Sequence, residues 1–314
     1  MITIKKIEIK DYFGRGNFEW NLDPVVNILG GKNGSGKSTL FKLCYALLVN
    51  DKIDSKTDKQ FSALFEKVTL TLSNDWTIVW VKPELRNEYL LELGGSVPQQ
   101  YRDIIFLNHK GELQEQSKRK EFVNVFMINS FEQKIVSLIN RIQDQKHLLG
   151  AGVEATLLDS LIDKEINLRN RNLSAAVDKY MDESVDDITA LNLFKRKHNM
   201  INVSLHNFMT EYEKKISSDF VFSKKGEKIA WQSLSMGEKQ ILLLLLMVSN
   251  TQQQPCIFFM DEPDLSMHID WKEILVKELH ELNPNMQIIL STHAPSVITG
   301  WHDKVKEVNQ LIKK

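Results

Sequence analysis

The run Gly31-Lys32-Asn33-Gly34-Ser35-Gly36-Lys37-Ser38-Thr39 carries the pattern G-x-x-x-x-G-K-[ST]. Glycines at that spacing let backbone N–H groups turn inward around the α- and β-phosphates of a nucleotide. A helix opening just after them adds the positive end of its dipole. Lys37 then reaches the β- and γ-phosphates, and the Ser38 hydroxyl is a ligand for Mg2+. A second chemical feature lies far downstream, where Cys256-Ile-Phe-Phe-Met-Asp261-Glu262 is an apolar run ending in two carboxylates. A buried strand that delivers acids at its C-terminal end sets them beside a nucleotide, where open α/β sheets bind ligands. The two acids are expected to have different roles: Asp261 would hold Mg2+, directly or through water, and Glu262 would take a proton from the attacking water.

The surrounding patterns supply the elements such a site needs. Pro24 is followed by Val-Val-Asn-Ile-Leu, a short buried strand leading into the glycines, and Ser38-Thr39-Leu40-Phe41 opens a helix. From Ile2 to Trp20 apolar and polar residues alternate around Gly14 and Gly16, as in two strands and a turn. Val68 to Val81 reads as a hairpin turning at Asn74-Asp75, and 103–108 as a further extended piece. Asp219 to Trp231 is strand-like again. After it come a helix from Ser235 to about Ser249, a strand at Cys256 to Met260, a helix near Trp271 to Leu282 and a strand at Gln287 to Leu290. Such alternation predicts an α/β fold with a layered mixed and parallel sheet.

The middle differs in kind. From Phe131 to Ile216 there is no proline, and the glycines are Gly150 and Gly152. Phe131, Ile135, Leu138, Ile139 and Ile142 share one helical face, as do Val153, Leu157, Leu161 and Ile162. The expected division is therefore a discontinuous domain, 1–130 and 217–314, interrupted by a helical insertion at 131–216.

Charge and composition narrow the classes. With 40 Lys+Arg against 41 Asp+Glu the formal net charge is −1, which excludes a uniformly basic nucleic-acid coat and an acidic solvating tail. Cys44 and Cys256 both sit in apolar stretches, so neither a disulfide framework nor a zinc site is indicated. The start lacks a signal-peptide pattern, and the apolar run Ile241 to Val248 is far shorter than the roughly 20 residues of a membrane span. The expectation is a cytoplasmic protein without a membrane partner.

Leu234-Ser235-Met236-Gly237-Glu238 resembles the L-S-G-G-Q signature of the ATP-binding-cassette (ABC) ATPases. The resemblance continues through Pro263-Asp264-Leu265-Ser266, placed as the D-loop, and Ser291-Thr292-His293, placed as the switch histidine. It implies an ABC-ATPase head that uses ATP and Mg2+. Ser235 and the Gly237 N–H, at a helix start, form an anion site that closes on the γ-phosphate held by a second subunit. The implied assembly is a homodimer glued by ATP, open to building higher oligomers. Asp264 is expected to couple the two sites and His293 to contact the γ-phosphate. The family's glutamine loop, a metal contact, maps onto Gln133. Phe13, Arg15 and Asn17 lie where repair-type cassettes contact the base.

About 200 residues separate Ser38 from Ser235, roughly twice the transporter spacing, and much of the excess is the helical segment. That segment is too short for the long coiled coils of SMC-type ATPases. The chain thus looks like the RecF and OLD-like branch, and 261–271 resembles the D-loop of OLD-like ATPases in bacterial anti-phage systems. OLD proteins carry a C-terminal nuclease domain, whereas about twenty residues follow His293 here. The expected partner is therefore a separate effector, a nuclease or toxin, with the helical segment as its docking surface. The alternative is a RecF-like repair ATPase that grips duplex DNA through Lys118-Arg119-Lys120 and Lys195-Arg196-Lys197-His198. A transporter cassette is a remote third.

Overall fold

The computed structural model describes residues 2–50, 53–93, 103–115, 124–128, 157–182, 188–212 and 220–313. Two sheets share the work. Strands β1 (Ile4–Lys10) and β2 (Asn17–Asn21) form a hairpin, and β3 (Val26–Gly30) leads into helix α1 (Lys37–Val49). Helix α2 (Ser55–Ser62) precedes the hairpin of β4 (Lys67–Leu72) and β5 (Thr77–Val81). Helix α3 (Pro83–Glu92) then leads to β6 (Ile105–Leu107). Together with the terminal β13 (Ile312–Lys313) these strands make an antiparallel sheet in the order β13-β2-β1-β4-β5-β6. The hairpin turns at Asn74-Asp75 as its sequence predicts, with Asp75 at φ 61°.

The second sheet is parallel. Its order is β12 (Val305–Glu307), β3, β11 (Met286–Ser291), β10 (Cys256–Asp261) and β7 (Val125–Ile128). Strands β10 and β11 are buried at every position, because both faces of this sheet are covered. Side chains of Ile257, Phe259 and Ile289 join α1 and the antiparallel sheet in one core. Their neighbours Phe258, Met260, Ile288 and Leu290 point the other way, into a helical core, as the two-residue period of a strand requires.

That helical core is built around α6 (Met236–Asn250), which is buried on nearly all sides. Around it pack α4 (Leu157–Asp182), α5 (Ile188–Phe208) and α7 (Ile269–Leu282). Leu158, Ile162 and Ile166 of α4 and Ile201, Leu205 and Phe208 of α5 are buried in the same cluster as α6. The inner faces of these two helices thus belong to the head's own core. Polar contacts reinforce the docking: Asn250 donates to the Glu165 carboxylate at 2.9 Å, and Asn207 donates to Glu278 of α7 at 2.8 Å. A small hairpin, β8 (Val221–Lys224) and β9 (Glu227–Ala230), leads into the start of α6.

The C-terminal stretch returns across both sheets: β12 pairs with β3, a short helix α8 (Val308–Leu311) follows, and β13 pairs with β2. Gln287 on β11 ties the sheets together. Fully buried, it accepts from the Ile4 backbone N–H at 2.8 Å and donates to the carbonyls of Ile4 and Asp23 at 2.8 and 2.9 Å. Among the described residues no helix is long and apolar enough to cross a membrane.

Candidate functional site

Three parallel strands in the order β3, β11, β10 end at one edge, and their register fixes which side chains meet there. Asp261 stands opposite Ser291, and Ser291 opposite Leu29, one residue before the glycine loop begins at Gly30. The Ser291 hydroxyl donates to Asp261 Oδ1 at 2.6 Å, which orients that carboxylate. The Glu262 N–H donates to the Ser291 carbonyl at 3.0 Å. Glu262 takes the left-handed backbone region at φ 49°, a conformation that costs a non-glycine residue about 1–2 kcal/mol. At this turn its side chain leaves the strand line and reaches His293.

The loop from Gly31 to Gly36 closes onto the first turn of α1, whose opening turn carries no acidic side chain to compete with a phosphate. Gly36 sits at φ 100°, and a Cβ there would collide with the Tyr12 hydroxyl and the Phe13 ring. Tyr12 donates to the Ser35 carbonyl at 3.0 Å, so the aromatic pair at 12–13 braces the loop from behind. Arg15 lies over the Phe13 ring, 5.8 Å from its centroid.

Lys37 is almost wholly buried. Its ammonium donates to the Gly31 carbonyl at 2.7 Å and lies 2.9 Å from His293 Nε2. The same His293 nitrogen is 3.2 Å from Glu262 Oε1. It accepts from Lys37 when the ring proton is on Nδ1, and donates to Glu262 when the proton is on Nε2. It cannot do both at once. Burial lowers the Lys37 pKa below the ordinary lysine value, against the opposing pull of Glu262, Asp261 and Glu307.

These residues fit a nucleotide with Mg2+. The Ser35 hydroxyl is buried inside the loop with no hydrogen-bond partner among the described residues. Ser38 and Asp261 offer the hard oxygen donors that Mg2+ takes. Gln133, the third expected metal contact, lies outside the described residues, as do Lys118-Arg119-Lys120.

The signature residues form a separate corner. Ser235 caps α6 in a capping box with Glu238: the Ser235 N–H donates to Glu238 Oε2 at 2.7 Å, and the Glu238 N–H to Ser235 Oγ at 3.4 Å. Gly237 packs so closely on the D-loop that a Cβ would lie 2.7 Å from the Ser266 carbonyl oxygen. Ser266 itself is at φ 69°. Among the described residues, no polar contact of Ser235 or Gly237 reaches the glycine loop. Asp264 is buried and turned into its own chain, accepting from Thr292 Oγ1 at 2.9 Å and pairing with Lys272 at 3.2 Å. It therefore connects the D-loop to the residue beside His293.

Some of these roles are not the ones the motifs announce. Ser291 and Thr292 hold Asp261 and Asp264, and the clue in sequence is their place at the end of a strand paired with the acidic one. Glu307 packs over Gly30 from β12, near enough to act on Lys37, and nothing in its local sequence marks it.

Known proteins resemble this chain in sequence and in fold. The family model described as "AAA domain, putative AbiEii toxin, Type IV TA system" matches residues 26–299. The "Retron Vc95 probable ATPase" of Vibrio cholerae serotype O1 biovar El Tor is 32% identical over 133 residues, 37% of this chain and 26% of that protein. The "Retron Ec83 probable ATPase" of Escherichia coli is 29% identical over 90 residues, 25% of this chain and 17% of that protein. The matched stretches thus cover about a quarter or less of these relatives. Among solved structures, the SMC head domain from Thermotoga maritima superimposes with a TM-score of 0.53 at 15% identity, covering 97% of this chain and 94% of that one. The SmcHead bound to the C-winged helix domain of ScpA gives 0.51 at 13% identity, with 97% of each chain covered. At such identities the likeness is one of fold.

Proposed function

The chain belongs to this AAA-domain family and carries an ABC-type ATPase head. On that premise we propose that it binds and hydrolyses ATP in an ATP-sandwiched homodimer that scaffolds or regulates a separate effector, a nuclease or toxin, in bacterial anti-phage defence. One observation carries the ATPase part: Lys37, Asp261, Glu262 and His293, distant in sequence, converge at the ends of three neighbouring parallel strands. The effector part is supported by the two relatives named as retron ATPases and by a family description that names a toxin.

In the reading proposed here the triphosphate lies on the Gly31–Thr39 loop, with Lys37 against its β- and γ-phosphates. Glu262 removes a proton from water as the water oxygen bonds to the γ-phosphorus. The bond from that phosphorus to the bridging oxygen breaks, leaving ADP and phosphate. His293 lies between Lys37 and Glu262, its Nε2 bonding to one or the other according to its tautomer, and contacts the γ-phosphate. Ser38 and Asp261, with Gln133 as the further ligand, would hold Mg2+, which would supply positive charge against the phosphate oxygens.

Ser235 and Gly237 are set apart from the glycine loop of their own chain, so the phosphate they bind belongs to a second copy. The division that accompanies this reading is a head of 1–130 and 217–314 with an insertion at 131–216. The inner faces of α4 and α5 line the head, which leaves the outer side of the insertion for a partner protein.

The test is a tagged Glu262→Gln protein. It should bind ATP, hydrolyse it at least 100-fold more slowly than the parent and accumulate as a dimer on a sizing column. Hydrolysis at the parental rate removes Glu262 as the base. Captured from its host with ATP present, it should bring down a nuclease or toxin. Recovery of duplex DNA with repair factors and no effector replaces the defence reading with the RecF-like one.

A further inference from the structure

We propose that Tyr212 is a positioning residue for the signature loop: its hydroxyl holds the Glu238 carboxylate, and Glu238 holds Ser235 in the pose that receives a phosphate from the second subunit. This rests on the dimer reading above.

The chain of contacts is short. The Tyr212 hydroxyl donates to Glu238 Oε1 at 2.9 Å, and the other carboxylate oxygen, Oε2, accepts the Ser235 N–H at 2.7 Å. Each oxygen therefore has its own donor, and the carboxylate plane is fixed by both. The return contact, from the Glu238 N–H to Ser235 Oγ, is long at 3.4 Å, so the serine hydroxyl is only loosely engaged within its own chain. That leaves it available to an incoming phosphate oxygen, while its backbone is held firmly.

Tyr212 is itself held from several sides. It lies in the turn after α5, where its N–H donates to the Met209 carbonyl at 3.1 Å. Its ring meets Phe222 of β8 edge-on with centroids 5.3 Å apart, and the Lys224 ammonium lies 5.4 Å from the ring centroid. Burial and the Glu238 contact push the phenol pKa up to about 12, so at neutral pH the group is a hydrogen-bond donor. The next residue of the signature helix, Lys239, pairs with Asp159 of α4 at 2.7 Å. The first turn of α6 is thus gripped by the start of α4 and by the turn that follows α5.

A cap that served folding alone and a cap that sets the dimer contact predict different results. The experiment places Tyr212→Phe in the Glu262→Gln background and measures three things. These are binding of a fluorescent ATP analogue at concentrations below dimerisation, melting temperature, and ATP-driven dimerisation by sedimentation. Nucleotide binding to the single subunit should stay within twofold of the parent, and the dimer dissociation constant should rise about 10-fold or more, as expected for losing a hydrogen bond to a charged group. A dimer constant within twofold of the parent overturns the assignment, whatever the melting temperature does. If the Glu262→Gln parent itself does not dimerise with ATP, the sandwich reading falls and this inference falls with it. A parent that dimerises beside an unaffected Phe variant sinks Tyr212 alone. Should Tyr212→Phe not fold, Glu238→Ala reads the other end of the same contact. It should keep nucleotide binding and lose dimerisation, and an unchanged dimer constant overturns the proposal.

Discussion

At the phosphate edge side chains meet one another: Lys37 and Glu262 both reach the same His293 nitrogen, and Ser291 donates to Asp261. At the signature corner the fixed points are backbone ones: the Ser235 N–H is held by a carboxylate, and the glycine at 237 by the close approach of a neighbouring loop. The first region takes its geometry from strand register, which sets three chain ends side by side. The second takes it from surfaces folded around it: Tyr212 before it, the D-loop after it and α4 alongside. The edge thus gathers its groups within one subunit among the described residues, whereas the corner lies apart from it, and in the dimer reading its phosphate comes from a second copy.

Three changes would break or sharpen that contrast. Lys37→Ala should have the largest effect. Removing the buried ammonium weakens nucleotide binding by about a hundredfold or more and abolishes assembly with it, as fluorescence titration and sizing would record. Binding that survives this change would mean that the edge is not where the triphosphate is held. Gly237→Ala should act on the corner only. The added methyl must displace the Ser266 carbonyl, at a cost of about 1–3 kcal/mol read as a lower melting temperature. Dimerisation should be lost while the single subunit still binds nucleotide, and a parallel loss of both would erase the distinction between the regions.

The smallest effect concerns the frame far from either region. Lys313 and Lys6 hold the Glu19 carboxyl below its ordinary pKa. Because the folded value is depressed, the contribution to stability is present above the unfolded pKa and is lost as the pH falls through the folded one. Protection of the β13 amides, after correction for the slower intrinsic exchange at low pH, should therefore fall on acidification in the parent and change little in Glu19→Gln, with nucleotide binding at neutral pH the same in both.

How much of this was legible in sequence follows the same division. The glycine loop between β3 and α1, the apolar β10 ending in Asp261-Glu262, and β11 ending at Ser291 could be located because each is a local pattern. The signature and its helix start could be found too, since capping chemistry is written in consecutive residues. Tyr212 could not: its contact with Glu238 joins residues 26 apart across a strand pair, and no period or motif links them. The C-terminal return was equally invisible, because strands of three and two residues are too short to show alternation. Strand β7, Val125-Phe126-Met127-Ile128, did leave a trace as a four-residue apolar run between asparagines. The left-handed turn at Glu262 has no signal at all, since glutamate is not a residue that announces it.

Gln287 has a consequence for the order in which the molecule can be made. It secures β1 through contacts between residues 283 apart, and β3, the strand that feeds the glycine loop, finds both of its partners in β11 and β12. A chain emerging from the ribosome therefore carries its phosphate loop on an unpaired strand until residues 286–307 have appeared. Closure between such distant segments is slow, and hydrophobic strands stay exposed while it is pending. The nucleotide cradle, near the beginning of the sequence, should be among the last parts of the head to set, and its N-terminal lobe the part most in need of shelter during synthesis.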